Sequence, residues 1–289
     1  MIALVWCLLW LCVAPRHAAA AESSVRVITY NVAGWFVPDD LPLAVLLPQR
    51  PDLVLLQEVR NIAHLARLGQ DLRLPYWRFA PYSRRRGGVA ILSRWPLGTA
   101  HRLPWRQSPQ GKLALAAPVY SPAGRFWACS AHLDNPFALH HPLNLGQRAW
   151  LVWHEIFATT QRTQQAMELS AWLRRLGGEN SIIGGDFNSV PWSGADRHLR
   201  HYFADALSGS LRQYVRGTYW GWPHIPMRLR VDFLYHASSW QVVEAQVIQQ
   251  KASDHFPVLA VFSPPVHERG VAVVPRDEES LAGAVLSQL

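Results

Sequence analysis

The chain has 289 residues and a formal net charge of +8, and Lys112 and Lys251 are its only lysines, so its basic character is almost all arginine. Arginine forks pair with phosphate oxygens two at a time, which is compatible with nucleic acid, anionic lipid or other phosphorylated partners. After residues 2–13 no apolar run approaches the roughly 18 residues of a spanning helix, which excludes a further membrane span of that kind.

Residues 1–22 read as an export signal. The run at 2–13 is apolar and short, and Ala18-Ala19-Ala20-Ala21 suits signal-peptidase cleavage. No Lys or Arg precedes the run, and an uncleaved anchor ending at Pro15 is the alternative. Leu9-Trp10-Leu11 before Cys12 is too bulky for a lipid-attachment site. Cleavage would remove Cys7 and Cys12 and leave Cys129 alone, so the mature fold has no internal disulfide. Cys129 itself reads as a buried small hydrophobe. The chain is therefore expected to be exported, periplasmic or extracellular.

Residues 25–32 alternate and are rich in β-branched side chains, which predicts a strand. A helix is expected at 41–49, closed by Pro51, then a buried strand at 52–57 and an amphipathic helix at 61–72. Gly87-Gly88 and Pro96 bound a strand at 88–93. Residues 113–120 and 126–133 pair around Ser121-Pro122-Ala123-Gly124. A short helix at 151–157 and a longer one at 163–176 precede a buried strand at 181–184. Three more strands fall at 230–236, 242–249 and 257–262. Helices lie between strands, so the expected class is α/β: a two-layer β-sandwich flanked by helices, four layers α/β/β/α, as one domain over 24–263. Residues 264–289 read as a C-terminal tail.

The acidic and amide residues cluster at strand ends. Asn31 closes the first strand and Glu58 the second, and His132 stands near the end of 126–133. Asp186 and Asn188 follow Ile182-Ile183, Asp232 lies in 231–235, and Asp254-His255 precedes the last strand. Singly, each has an ordinary structural reading: a turn-forming Asn, a helix-capping Glu, an Asx turn at Gly185-Asp186-Phe187-Asn188, or a core histidine. Their joint order is harder to obtain by accident.

That order resembles the endonuclease/exonuclease/phosphatase superfamily. The matching pieces are Thr29-Tyr30-Asn31-Val32, Leu56-Gln57-Glu58-Val59, Gly88-Val89-Ala90-Ile91-Leu92-Ser93-Arg94 and Ala131-His132-Leu133-Asp134. Gly184-Gly185-Asp186-Phe187-Asn188, Arg230-Val231-Asp232-Phe233-Leu234-Tyr235 and Ser253-Asp254-His255-Phe256-Pro257-Val258 complete the set. The resemblance implies a hydrolase of phosphate esters using Mg²⁺, with Mn²⁺ as a substitute. Glu58 would be the principal metal ligand, with Asn31 and Asp254 beside it. Mg²⁺ prefers hard oxygen ligands, and no His/Cys cluster suits zinc. Asp186 would orient or deprotonate the attacking water, and Asn188 would hold that water or a phosphate oxygen. His255 would donate to the phosphate with Asp232 fixing its ring, and His132 would approach from the other side or assist the leaving group.

The substrate is less legible. Arg60 matches a DNA-contacting position of pancreatic-type deoxyribonucleases, and Arg94 closes its motif. The stretches 135–161 and 214–225 are aromatic and include Trp150, Trp153, Trp220 and Trp222. Such residues can stack on bases or lie at a membrane interface, and some belong to the core. Arg60, Arg94, Trp220 and Trp222 are the expected substrate contacts. His140-His141 is a weak metal candidate, since adjacent side chains diverge. The partner is a phosphate ester that is lipid-linked, small or nucleic, with peripheral membrane contact through the Trp-rich stretches and no obligate protein partner. A secreted non-specific endonuclease is the main alternative. A non-catalytic binding protein would be expected to lack a site residue, and none is missing.

Overall fold

The computed structural model describes residues 24–33, 41–135, 144–220 and 228–264. The expected export signal, the tail from residue 265, Trp222 and His140-His141 lie outside the described residues. The elements run β1 (Val25–Asn31), α1 (Leu41–Leu46) with a 3-10 turn (Leu47–Gln49), β2 (Leu53–Val59), α2 (Ile62–Asp71), β3 (Tyr76–Pro81), β4 (Gly88–Ser93) and β5 (His101–Pro104). They continue with β6 (Leu113–Ser121), β7 (Gly124–His132), α3 (Leu145–Phe157), α4 (Gln161–Arg175), β8 (Ser181–Asp186), α5 (Gly194–Arg200), β9 (Ala204–Asp205) and α6 (Leu211–Tyr214). Three strands end the fold: β10 (Asp232–His236), β11 (Gln241–Val247) and β12 (Val258–Ser263).

Two six-stranded mixed sheets result, in the orders β11-β12-β1-β2-β4-β3 and β5-β6-β7-β8-β10-β9. Alternate residues of the central strands feed different cores, which is why they read as continuous apolar runs. Val25, Val27, Leu53, Leu55, Val89 and Ile91 meet Leu115, Val119, Ile182 and Leu234 between the sheets. Ile28, Tyr30, Val54 and Leu56 face outward onto Leu65 and Leu68 of α2. Ala114, Ala116, Ile183 and Phe233 pack on Leu169, Trp172 and Leu173 of α4. The order of layers is thus helix, sheet, sheet, helix, in a single domain.

This topology builds one functional edge. β1 and β2 are parallel, as are β7 and β8, so their C-terminal ends reach one rim. β12 runs antiparallel to β1 and β10 antiparallel to β8, so their N-terminal ends arrive at the same rim. Gly184 lets the sheets approach closely there. A Cβ on it would lie 2.7 Å from Leu55 Cδ1 and 2.8 Å from Thr29 Cβ.

Candidate active site

Asp186 occupies the centre of a row across the second sheet. His132 on β7 and Asp232 on β10 are its register partners on either side. His132 Nε2 lies 3.2 Å and His255 Nε2 3.8 Å from Asp186 Oδ2. Asn31 Nδ2 donates to the same oxygen at 3.0 Å, which joins the first sheet to the second. Asp186 Oδ1 accepts from the Asn188 amide at 2.9 Å, and Asn188 Nδ2 donates to the Leu133 carbonyl at 2.9 Å. Asn188 achieves this turn at φ 46°, a left-handed conformation that asparagine tolerates.

Glu58 reaches the cleft by a different device. The β2–β4 register shifts between Leu56 and Val59, and Glu58 sits in that irregularity with φ 60°. A bulge of this kind re-aims a side chain, and the strain of the left-handed conformation is held by the surrounding sheet. The carboxylate pairs with Arg85, with Nη2 to Oε1 at 3.2 Å. The Glu58 amide donates to Tyr82 Oη at 3.1 Å. Asn31, Glu58, Asp186, Asn188, Asp254 and His255 all line the one cleft, together with Arg85, Lys112, Asn135 and Tyr219.

The electrostatics separate the two histidines. Burial alone would depress His255, but Asp232 and Asp186 on either side push it up to about 10. Its Nδ1 lies 2.8 Å from Asp232 Oδ2, and Tyr219 covers the ring at 4.9 Å between centroids. His132 is depressed to about 4 by burial and by the Lys112 charge, so its ring is neutral at neutral pH. Tyr82 Oη lies 2.7 Å from His132 Nδ1, and Lys112 Nζ lies 2.6 Å from Nε2. A neutral ring carries one N–H, so accepting from Lys112 and donating to Asp186 are alternative states of Nε2. Burial lowers Lys112 to about 8, with Asp186 and Glu58 opposing. Burial would raise Asp186, yet the His255 charge and the His132 hydrogen bond hold it well below the usual carboxylate range. Burial likewise works against Glu58 ionisation and is outweighed by the surrounding cations, Arg85 among them.

Lys112, Arg85 and Tyr82 were not among the sequence candidates. Two of them had a faint signal, a lone lysine after Gly111 heading an apolar strand and an arginine run directly before Gly87-Gly88, and Tyr82 had none. Arg94 requires a correction. It leaves β4 at the end where Ser93 pairs with Leu53, opposite the cleft, and its guanidinium holds Asp52 at 2.8 Å. An arginine following an outgoing antiparallel strand emerges at the wrong edge for substrate. Arg60 is exposed just beyond β2 and does not line the cleft. Trp220 is half-buried on Phe256 beside the site, with Lys251 Nζ 4.4 Å from its ring centre, and its amide donates to the Asp254 carbonyl at 3.0 Å.

The donor set can be tested against a divalent cation. Glu58, Asp186 and Asp254 line the cleft with Arg85, Lys112 and His255, and Asp232, buried behind His255, brings the carboxylates to one more than the cations, a balance that a metal would neutralise. The cleft donors outside the imidazoles are hard oxygens, which suits such an ion. Ligand atoms of Asp186, Asp232 and His255 also lie within 4.8 Å of one another. His255, however, is cationic and bonded to Asp232, so its ring bridges carboxylates better than it ligates a metal.

The chain matches the Endonuclease/Exonuclease/phosphatase family over residues 28–255. It belongs to that family. Its members are metal-dependent phosphoester hydrolases, and this chain is one of them. An endonuclease/exonuclease/phosphatase structure from Beutenbergia cavernae superposes with a TM-score of 0.64 at 21% identity, covering 84% of this chain and 72% of that one. The D. rerio TDP2 complexed with single-strand DNA product gives 0.61 at 17% identity, covering 83% and 99%. The Bacteroides thetaiotaomicron mannosyl-6-phosphatase gives 0.62 at 16% identity, covering 82% and 99%. No curated protein matches the chain in sequence. At these identities the structural likeness carries the fold and leaves the substrate to the site.

Proposed function

We propose that the chain is an exported, Mg²⁺-dependent phosphoesterase that directs water onto phosphorus in a lipid-linked or other extracytoplasmic phosphate ester. The observation that carries the chemistry is Asp186 Oδ2 set 3.2 Å from His132 Nε2 and 3.8 Å from His255 Nε2, where burial favours a neutral His132 and the flanking carboxylates favour a cationic His255. Mg²⁺ held by Glu58, with Asn31 and Asp254 beside it, would supply Lewis acidity toward a phosphate oxygen. Asp186 orients the attacking water. Its depressed pKa makes it a weak base, so orientation dominates in the resting site. Asn188 holds the water or a phosphate oxygen. His255 donates from Nε2 to the phosphate as charge builds, while Asp232 fixes its ring. Lys112 lines the other side of the cleft, placed for charge or proton at the leaving group, and the buried His132 positions its ammonium from behind.

The net charge of +8 and the exposed Arg60 favour a second reading, a secreted nuclease, and the likeness to a DNA-bound TDP2 accords with it. The readings separate by presenting the purified chain with Mg²⁺ to plasmid DNA, RNA, phospholipid vesicles and a chromogenic phosphodiester. Release of lipid phosphate with intact plasmid is expected, and DNA degradation at low enzyme would replace the lipid reading. Asp186→Ala should lose turnover by at least about 10²-fold on every substrate. Full turnover in that variant would overturn the mechanism.

A further inference from the structure

α3 turns aromatic side chains outward and encloses a buried acid, with Leu151, Val152 and Ile156 half-buried around it. Its N-terminus is closed by a capping box, in which Asn144 accepts from the Gln147 amide and Gln147 reaches back. A surface helix normally turns apolar residues inward. Here the buried side chain is Glu155, which meets Arg162, Thr160 (3.1 Å) and Ser189 (3.2 Å). The outward side carries Trp150, Trp153 and Phe157, at 56%, 57% and 66% exposure. Trp150 stacks on His154 and Trp153 leans on Phe157, both near 5 Å between centroids.

A second element adds to this face. Trp192, in the turn between β8 and α5, is 51% exposed and holds φ at 64°, a strained conformation for an indole-bearing residue. Arg197 of α5 ties the two elements together by donating to the Ile156 carbonyl at 2.9 Å and to the Trp192 carbonyl. Among the described residues of α3, of α5 and of the turn before α5, the exposed charge is basic: Arg197 and Arg200 are exposed, while the acids Glu155 and Asp196 are buried. The helix is fixed at the catalytic wall, because Ser189 directly follows Asn188.

We propose that the face formed by Trp150, Trp153, Phe157 and Trp192 docks on an anionic lipid bilayer, its rings in the headgroup region and its arginines on lipid phosphates. Indole rings favour that boundary, and basic residues add attraction to anionic lipid. α3 has 13 residues, about 20 Å of helix, too short to span a bilayer and suited to lying along one. The inference rests on the lipid-linked reading for its purpose, but its geometry stands apart from the catalytic residues.

The test is sedimentation of the full chain with phosphatidylcholine/phosphatidylglycerol vesicles and with phosphatidylcholine vesicles. The chain should partition onto the anionic vesicles, less onto neutral ones and less again at high salt. Trp150→Ser/Trp153→Ser should lower the partition coefficient by roughly a hundredfold, and Trp192→Ser should lower it independently. Turnover of a soluble chromogenic phosphodiester should be unchanged in both variants, since neither touches the cleft. Undiminished vesicle binding by the variants, or equal binding to neutral vesicles, would overturn the docking face. So would a wild-type dimer in sedimentation velocity that the double variant makes monomeric. Loss of soluble turnover in the wild type would overturn the phosphoesterase reading and leave the docking result standing.

Discussion

Lys112 shows how one buried charge sets the working range of the site. Its ammonium lies among His132, Asp186 and Glu58, and burial brings it down to about 8. The sign follows directly: Lys112 is cationic below that value and neutral above it. His255, pushed up to about 10, stays charged through the same interval. The rate constant kcat/KM should therefore fall on its alkaline side near pH 8, with Lys112 responsible. Lys112→Arg supplies a cation that does not titrate there, so its pH–rate profile should stay flat to higher pH. Lys112→Met should lose about 10²–10³-fold at pH 7, in the range of a removed transition-state donor. An unshifted alkaline limb in Lys112→Arg would assign that limb to another group.

At the scale of elements, the sequence disclosed the buried strands and missed most of the exposed ones, β11 at 242–249 being the edge strand whose β-branched residues gave it away. The central strands β1, β2, β4, β6, β7, β8 and β12 are apolar because both faces are covered, and their periodicity located them within a few residues. β3 and β5 are edge strands, and their side chains are half-exposed or exposed except at Ala80, so no apolar run marks them. α5 is short and polar and signals itself mainly by its Ser193 cap. The site followed the same rule. Residues that end central strands were legible, whereas Arg85 and Tyr82 come from the β3–β4 connection, whose geometry depends on that unseen edge. α3 was read only from residue 151, because its start rests on an Asn144 cap and its outward aromatics obscure the usual pattern. Its attachment is polar and correspondingly vulnerable. Removing one member of a buried ion pair leaves the other uncompensated, at about 3–5 kcal/mol. Arg162→Met should approach that loss in urea unfolding, and a loss below about 1 kcal/mol would show that Glu155 is not held by the pair.

For the whole molecule, the rim concentrates negative charge that the rest of a basic chain does not share. Strands from two sheets deliver Glu58, Asp186, Asp232 and Asp254 to one edge, with Arg85, Lys112 and His255 to offset them. The uncompensated charge opposes folding, and a bound divalent cation relieves it in the native state alone. Mass action then links metal to stability. At about 100 times its dissociation constant Mg²⁺ should add about 2.7 kcal/mol, a Tm increase of roughly 5–10 °C for a domain of this size. Differential scanning fluorimetry with and without chelator measures it. Glu58→Gln should abolish the increase, because it removes the carboxylate that the β2 irregularity aims into the cleft. Trp150→Ser/Trp153→Ser should retain it in full, since α3 has no part in the ligand set. A Glu58→Gln variant that still gains the full increase would move the metal to the Asp186, Asp232 and His255 cluster, where ligand atoms also converge within 4.8 Å. Binding there would require His255 to give up its proton, so the Mg²⁺-induced increase would then grow as pH rises toward 10.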